Sequence, residues 1–227
     1  EVLEKRGADY LAVSSIDEAM ELRLGGIAMP ILILGHTPKE QVEKLIENHI
    51  TQAVTCKAKA MEYSEEAVRC GGTLKEHIKV DTGMSRLGYL VSGAHFESGV
   101  EGICEACRLP GLDAEGIFTH FAVSDEEDRE SRAYTREQFD LFTAVIEKAE
   151  EKLGRKFALR HCANTGAVAY WPEMMLDMVR PGLLLYGYGD GARRLGLRPV
   201  MRLMTSVSTI KVYEPGTSVS YGRIFKT

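Results

Sequence analysis

Short apolar runs alternate with amphipathic stretches along most of this chain. Runs at 10–14, 31–34, 50–55, 77–81, 116–121, 159–162 and 178–182 are four to six residues long and rich in aliphatic side chains. Runs of this length without clean polar alternation suit strands buried on both faces, as in a parallel sheet. The stretches between them read as helices. Residues 1–6 form one, stopped at Gly7-Ala8. Ser15-Ile16-Asp17-Glu18 matches a capping box, and Gly25-Gly26 ends the helix it opens. Thr37-Pro38-Lys39-Glu40 predicts a further cap with proline in the first turn, and Gly71-Gly72 stops the next helix. Helices follow near 94–107 and over 132–153, where Phe139, Phe142, Ile146 and Ala149 form one stripe, and a short one at 165–170.

Seven strands alternating with helices predict parallel βα units. A closed (β/α)8 barrel has eight. The predicted fold over 1–190 is therefore an α/β TIM-type barrel lacking its first strand, with a chain that opens inside a helix. Near Gly187 the texture changes. Residues 187–196 are rich in glycine and charge, which is linker chemistry. Residues 206–213 alternate β-branched and polar side chains, Glu214-Pro215-Gly216 is a turn, and 218–225 reads as a second strand. Residues 198–227 are thus expected to be the first strands of an all-β domain.

Composition narrows the function. At 227 residues with 44% hydrophobic content, the chain supports a full core. A net charge of −5 argues against nucleic acid as a partner. No apolar run is long enough to cross a bilayer and no signal peptide opens the residues present. The five cysteines, Cys56, Cys70, Cys104, Cys107 and Cys162, are odd in number and scattered, which points to reduced thiols in the cytoplasm or in a cytoplasmic domain of a membrane protein. Cys104-Glu-Ala-Cys107 has redox spacing but falls in a predicted helix, with no second pair to complete a metal site, so no metal is expected.

The chemistry concentrates at strand exits. Lys79, Arg86, His120, Asn164, Thr165 and Arg180 would face one barrel mouth, where such folds build their sites. Cations crowded there repel one another unless an anion is bound or made. Glycine after the last strand, in Arg180-Pro181-Gly182, adds backbone amides suited to phosphate. Each residue has a plainer reading when taken alone. Lys79 reaches solvent along its stem. Arg86 caps a helix or pairs with Asp81. His120 is a satisfied core histidine, Arg180 pairs with Asp177, and Tyr221 is a half-buried strand tyrosine.

Five segments, in order along the chain, carry a resemblance: Lys79-Val80-Asp81-Thr82-Gly83-Met84-Ser85-Arg86-Leu87-Gly88, Thr119-His120-Phe121-Ala122, His161-Cys162-Ala163-Asn164, Val179-Arg180-Pro181-Gly182 with Leu185-Tyr186-Gly187, and Val219-Ser220-Tyr221-Gly222. The chain resembles the bacterial alanine racemase family, pyridoxal phosphate enzymes with a barrel followed by a β-domain. The resemblance implies that Arg180 donates to the pyridine nitrogen, keeping it unprotonated and the ring a poor electron sink. His120 bonds Arg180 or stacks near the ring. Arg86 contacts the phenolic oxygen and the substrate carboxylate. Lys79 is the lysine often carbamylated in the family, which would turn a repelling cation into an anion that holds Arg86. Asn164 and Thr165 line the cofactor, with Thr165, Gly182 and Leu183 near its phosphate; the family usually has serine where Thr165 stands.

Tyr221 is implied as the base on one face of the Cα–H bond, reaching the other subunit of a homodimer. The Schiff-base lysine, the second base, matches nothing here, so an inactive fragment is expected. The substrate implied is a small amino acid, alanine, with D-alanine supplied for the cell wall. Alternatives are a serine racemase of the glycopeptide-resistance type, a decarboxylase on the same architecture, a pyridoxal phosphate carrier without catalysis, and an unrelated barrel enzyme. Decarboxylases set an acidic group against the ring nitrogen, and arginine at 180 opposes that.

Overall fold

Strands pair in the order in which the chain makes them. The computed structural model describes residues 1–227. The strands are β1 (Leu11–Val13), β2 (Ile31–Ile33), β3 (Ile50–Val54), β4 (Leu74–Asp81), the two-residue β5 (Tyr89–Leu90), β6 (Leu112–Phe118) and β7 (Leu159–His161). They form one parallel sheet in the order β1-β2-β3-β4-β6-β7, with β5 lying against the end of β4. Helices α1 (Val2–Lys5), α2 (Ile16–Leu24), α3 (Val42–Glu47), α4 (Lys57–Arg69), α5 (Phe96–Ala106), α6 (Arg129–Leu153) and α7 (Thr165–Tyr170) alternate with the strands. This is the wall of a βα barrel, open between β1 and β7.

The core lies between sheet and helices. Ile31, Ile33, Val54, Ile78, Val80 and Ile117 meet Ala60, Tyr63 and Ala67 of α4, Val100 and Ile103 of α5, and Phe142, Val145 and Ala149 of α6. Each fully buried aliphatic side chain there contributes about 1.5–3 kcal/mol. Along β4 the inner face carries Lys75, His77 and Lys79, while Glu76, Ile78 and Val80 turn toward the helices, as a two-residue period requires. The β4–β6 register slips once. Glu76 pairs with Ala114 but His77 pairs with Gly116, so Glu115 is an extra residue. That bulge turns the Glu115 carboxylate inward.

Several local expectations are corrected. Ser15 does accept from Glu18 N (3.3 Å), but Glu18 reaches back to the amide and hydroxyl of Ser14 (2.8 and 2.9 Å), one residue earlier than the capping box predicts. Thr37 caps no helix. It is buried, and its hydroxyl donates to Gln52 Oε1 (2.6 Å). A short 3-10 turn over Lys39–Gln41 opens α3 instead.

The predicted seventh strand at 178–182 does not form. Asp177 N and Arg180 N donate to Arg160 O and Ala163 O beside β7. Pro181 then offers no amide and Gly182 N turns back to Arg180 O. The chain enters α8 (Gly182–Leu185) and α9 (Asp190–Arg194). Nor is there a strand at 206–213. Alternation alone makes no ladder without a partner for its amides, and Val207, Ile210 and Val212 are exposed. The segment 218–225 divides instead of running straight. β8 (Ser218–Val219) and β9 (Phe225–Lys226) pair antiparallel around a turn over Tyr221–Arg223, where Gly222 has φ 69°. The turn at Pro215-Gly216 is present as expected. The five cysteines are unpaired, and burial pushes the Cys107 thiol up to about 12, against redox work at the Cys104–Cys107 pair.

Glu76, His77 and Tyr89 break the rule that buried polar groups are satisfied, Glu76 most of all. Glu76 is wholly unexposed, neither of its oxygens has a hydrogen-bond partner, and the buried hydroxyl of Tyr89 has none either. Burial, reinforced by Asp113 and opposed by Arg155, raises the Glu76 carboxyl to about 8. The native chain thus holds a proton that the unfolded chain releases above the ordinary value of 4.5, so this group removes stability as pH rises from there to about 8. Glu76→Gln is expected to match the parent near pH 5 and to exceed it by an order of a few kcal/mol above pH 8. Urea unfolding at pH 5, 7 and 9 checks this; a gap constant with pH contradicts it.

Candidate active site

Three strand exits converge on Phe118. The Lys79 ammonium stands 5.4 Å from the centre of its ring and the Arg180 guanidinium 5.3 Å, while His161 stacks on it at 4.8 Å. Lys79 is buried, and its Nζ donates only to Val80 O (2.8 Å). It does not reach solvent. Burial lowers its pKa to about 7, helped by the Arg180 and Arg86 charges and opposed by Asp81. The amine is therefore half neutral at neutral pH.

Arg180 binds three acceptors on two strand exits. Nη1 donates to His161 Nδ1 (2.6 Å). Nη2 donates to Thr119 O (2.7 Å) and Cys162 O (3.2 Å) and lies 3.5 Å from His120 Nδ1. None of these bonds uses Nε. Asp177, the plainer partner for Arg180, pairs instead with Arg160 (2.7 Å). Burial lowers the guanidinium to about 10, so it keeps its charge at neutral pH. The same burial, with the charges of Arg180, Lys79 and Arg86, lowers His120 to about 4 and keeps its ring neutral.

Behind Arg180 runs a buried chain of side chains. His161 Nε2 and His77 Nδ1 are 2.8 Å apart. His77 Nε2 is 3.5 Å from Glu115 Oε1, which also accepts from Tyr10 (2.9 Å), while Lys75 donates to Glu115 Oε2 (2.6 Å). A guanidinium only donates, so His161 Nδ1 accepts and its proton sits on Nε2. His77 Nδ1 then accepts in turn and its own Nε2–H faces Glu115. Burial, Arg180, His77 and Lys79 hold His161 well below its ordinary value, so its ring is neutral. The approach of His77 and the bonds from Lys75 and Tyr10 hold Glu115 down to about 2, against its burial. Gly116 makes room, since a Cβ there would lie 2.6 Å from the His77 ring.

The motifs include His161 without giving it a role, and they include neither His77 nor Glu115. His77 was recoverable, because it shares a strand face with Lys79. Glu115 was not, because only the bulge turns it inward.

The remaining predicted residues are placed as follows. Arg86 is exposed on the turn after β4 and makes no hydrogen bond. It does not pair with Asp81, whose Oδ1 accepts from Gly83 N and Ser85 N (3.0 Å each). Asn164 caps α7, accepting from Ala167 N (3.1 Å) and from Ser124 Oγ (2.6 Å). The Thr165 hydroxyl accepts from the amides of Leu183 (3.0 Å) and Leu184 (3.4 Å), joining the starts of α7 and α8 and leaving its own proton free to donate. Gly182 is open, with nothing within 4 Å of a built Cβ. Tyr221 is not brought in. It is 99% exposed on the terminal hairpin, whose hydrogen bonds stay within 214–227.

Lys79 supplies a stability test. Below about pH 7 the native chain must hold a crowded cation, a cost relieved between there and the ordinary value of 10.5. Lys79→Met should be more stable than the parent at pH 6, with the gap closing by about pH 10.5. Thermal unfolding across that range measures it; a gap that widens with pH would reverse the sign argued here.

The family model described as "Alanine racemase, N-terminal domain" matches residues 1–190. The alanine racemase of Desulfovibrio desulfuricans is 45% identical over 225 residues, covering 97% of this chain and 58% of the relative. The solved alanine racemase of Clostridium difficile 630 superimposes with a TM-score of 0.83 at 40% identity, over 100% of this chain and 58% of that one. An alanine racemase from Streptomyces lavendulae gives 0.83 at 33% identity, over 99% and 58%. The chain spans a little over half the length of these proteins. Matched through its whole barrel segment and beyond, it belongs to the alanine racemase family.

Proposed function

We propose that the polypeptide carrying this chain interconverts L- and D-alanine using pyridoxal phosphate, and that residues 1–190 supply most of the cofactor cradle. The observation that carries this reading is the Arg180 guanidinium. Its terminal nitrogens are held by protein acceptors while Nε remains to donate, and its charge persists at neutral pH. When bound, pyridoxal phosphate draws electron density from an attached amino acid and acidifies its Cα–H bond. A donor that does not part with its proton leaves the facing ring nitrogen unprotonated, which limits that withdrawal and suits stereo-inversion over transamination or decarboxylation.

The other residues take supporting roles in this reading. His120, neutral beside Arg180, bounds the ring without adding charge. Thr165, Gly182 and Leu183 receive the phosphate, for which the Thr165 hydroxyl still has a proton to give. Asn164 fixes the start of α7 beneath them. Arg86, a cation without a protein partner, holds the substrate carboxylate and the phenolic oxygen. Lys79, half neutral at pH 7, is nucleophilic enough to take up carbon dioxide as a carbamate, which would neutralise the surplus of positive charge.

Residues 198–227 begin the β-domain, and Tyr221 reaches the site of a second copy in a homodimer to hold the proton on one face. No helix is long and apolar enough to cross a membrane, and five unpaired thiols fit a cytoplasmic setting. No lysine of this chain matches the family's Schiff-base lysine.

Pyridoxal phosphate and L-alanine added to this chain alone should give no D-alanine by chiral chromatography. In the complete polypeptide, Arg180→Glu should lower kcat/KM for alanine at least about 100-fold, near 3 kcal/mol, and raise transamination. Turnover by the chain alone would overturn the expectation that the second base lies outside it, and an unaffected Arg180→Glu enzyme would overturn the assignment.

A further inference from the structure

The loops that carry Arg86 and His120 are held from outside the barrel, by α6. Gln138 is 1% exposed on that helix. Its Oε1 accepts from Ala122 N (3.0 Å), and its Nε2 donates toward His120 O (3.4 Å) and Thr82 Oγ1 (3.3 Å). One amide therefore grips the main chain on both sides of buried Phe121, as a neighbouring strand would, and reaches the β4 exit as well. Tyr134 lies one turn earlier on the same helix face. Its hydroxyl donates to Gly83 O (2.8 Å). Gly83 has φ 133°, and a Cβ there would collide with that hydroxyl. Beyond Gly83 the turn is closed by Asp81, Ser85 sits at φ 55°, and Arg86 follows directly. The hydroxyls of Thr82 and Thr119 meet at 2.8 Å beneath it.

These bonds matter because the exits carry like charges. Lys79, Arg86 and Arg180 repel one another, and Arg86 has no partner of its own, so its position is that of its turn. We propose that Gln138 and Tyr134 are positioning residues which fix the spacing between the Arg86 turn and the His120 loop. That they thereby shape a cofactor site rests on the reading above.

Four variants of this chain separate positioning from packing: Gln138→Leu, Gln138→Glu, Tyr134→Phe and, as a control in the α6 core, Val145→Ala. The readouts are amide exchange at Gly83, Ser85 and Ala122, titration of the His120 ring by NMR, and affinity for pyridoxal phosphate. Gln138→Leu should speed exchange at Ala122 at least about tenfold beyond its effect on global stability, and move the His120 titration from about 4 toward its ordinary 6.5 as the loop leaves its cationic, buried setting. Gln138→Glu keeps the acceptor and should restore protection at Ala122 without restoring His120. Tyr134→Phe should loosen Gly83 and Ser85 and leave His120 in place, and it stands if the Gln138 variants fail to fold. Val145→Ala should lower the melting temperature and change none of the local readouts. The proposal is overturned if, at matched stability, the Gln138 and Tyr134 variants alter these sites no more than Val145→Ala does. Failure of the parent chain to bind pyridoxal phosphate would count against the cofactor reading alone, since exchange and the His120 titration decide the positioning role without it.

Discussion

A charged guanidinium held by main-chain carbonyls is the constraint on which the rest of this site depends. Arg180 bridges the exits of β6 and β7 through Thr119 O and Cys162 O and meets His161 end on. Hydrogen bonds to an ionised donor are the strong ones, and removing a buried charge from water is tolerated only when its donors are matched. Once Arg180 is placed, the tautomers of His161 and His77 follow, and Glu115 closes the series with a carboxylate. Burial, and after it this cation, lowers the pKa of Lys79 and of His120.

The scaffold meets that demand with ordinary means. Parallel strands in sequential order bring their carboxyl ends to one side, so residues distant in sequence share a mouth. The β4–β6 bulge supplies the one irregularity needed, turning Glu115 into the interior. On the outside, α6 both covers the sheet with Phe142, Val145 and Ala149 and reaches the mouth with Gln138 and Tyr134. The same helix thus serves core and site, and loops rich in like charge need no partners of their own.

Much of this was legible from the residues. Apolar runs located all six main strands, because the face of each strand that packs on the helices must be apolar, Glu76 of β4 being the exception. Ordered motifs pointed to Lys79, His120 and Arg180, which the structure sets beside one another. The failures share a cause. Residues 178–182 and 206–213 have strand-like composition, but a strand also needs a neighbour that accepts its amides, and Pro181 denies one. Thr37 looked like a helix cap because nothing local announces that Gln52 lies beside it.

The amino-acid order by itself determined the βα rhythm and the set of cationic side chains near strand exits, since these follow from local periodicity and residue chemistry. Only the tertiary structure decided that His77, His161 and Glu115 stand in line behind Arg180, that Lys79 is buried and its pKa lowered, and that Glu76 is shut away without a partner. Such properties depend on desolvation and on contacts between residues far apart along the chain, and neither is written in any local stretch of it.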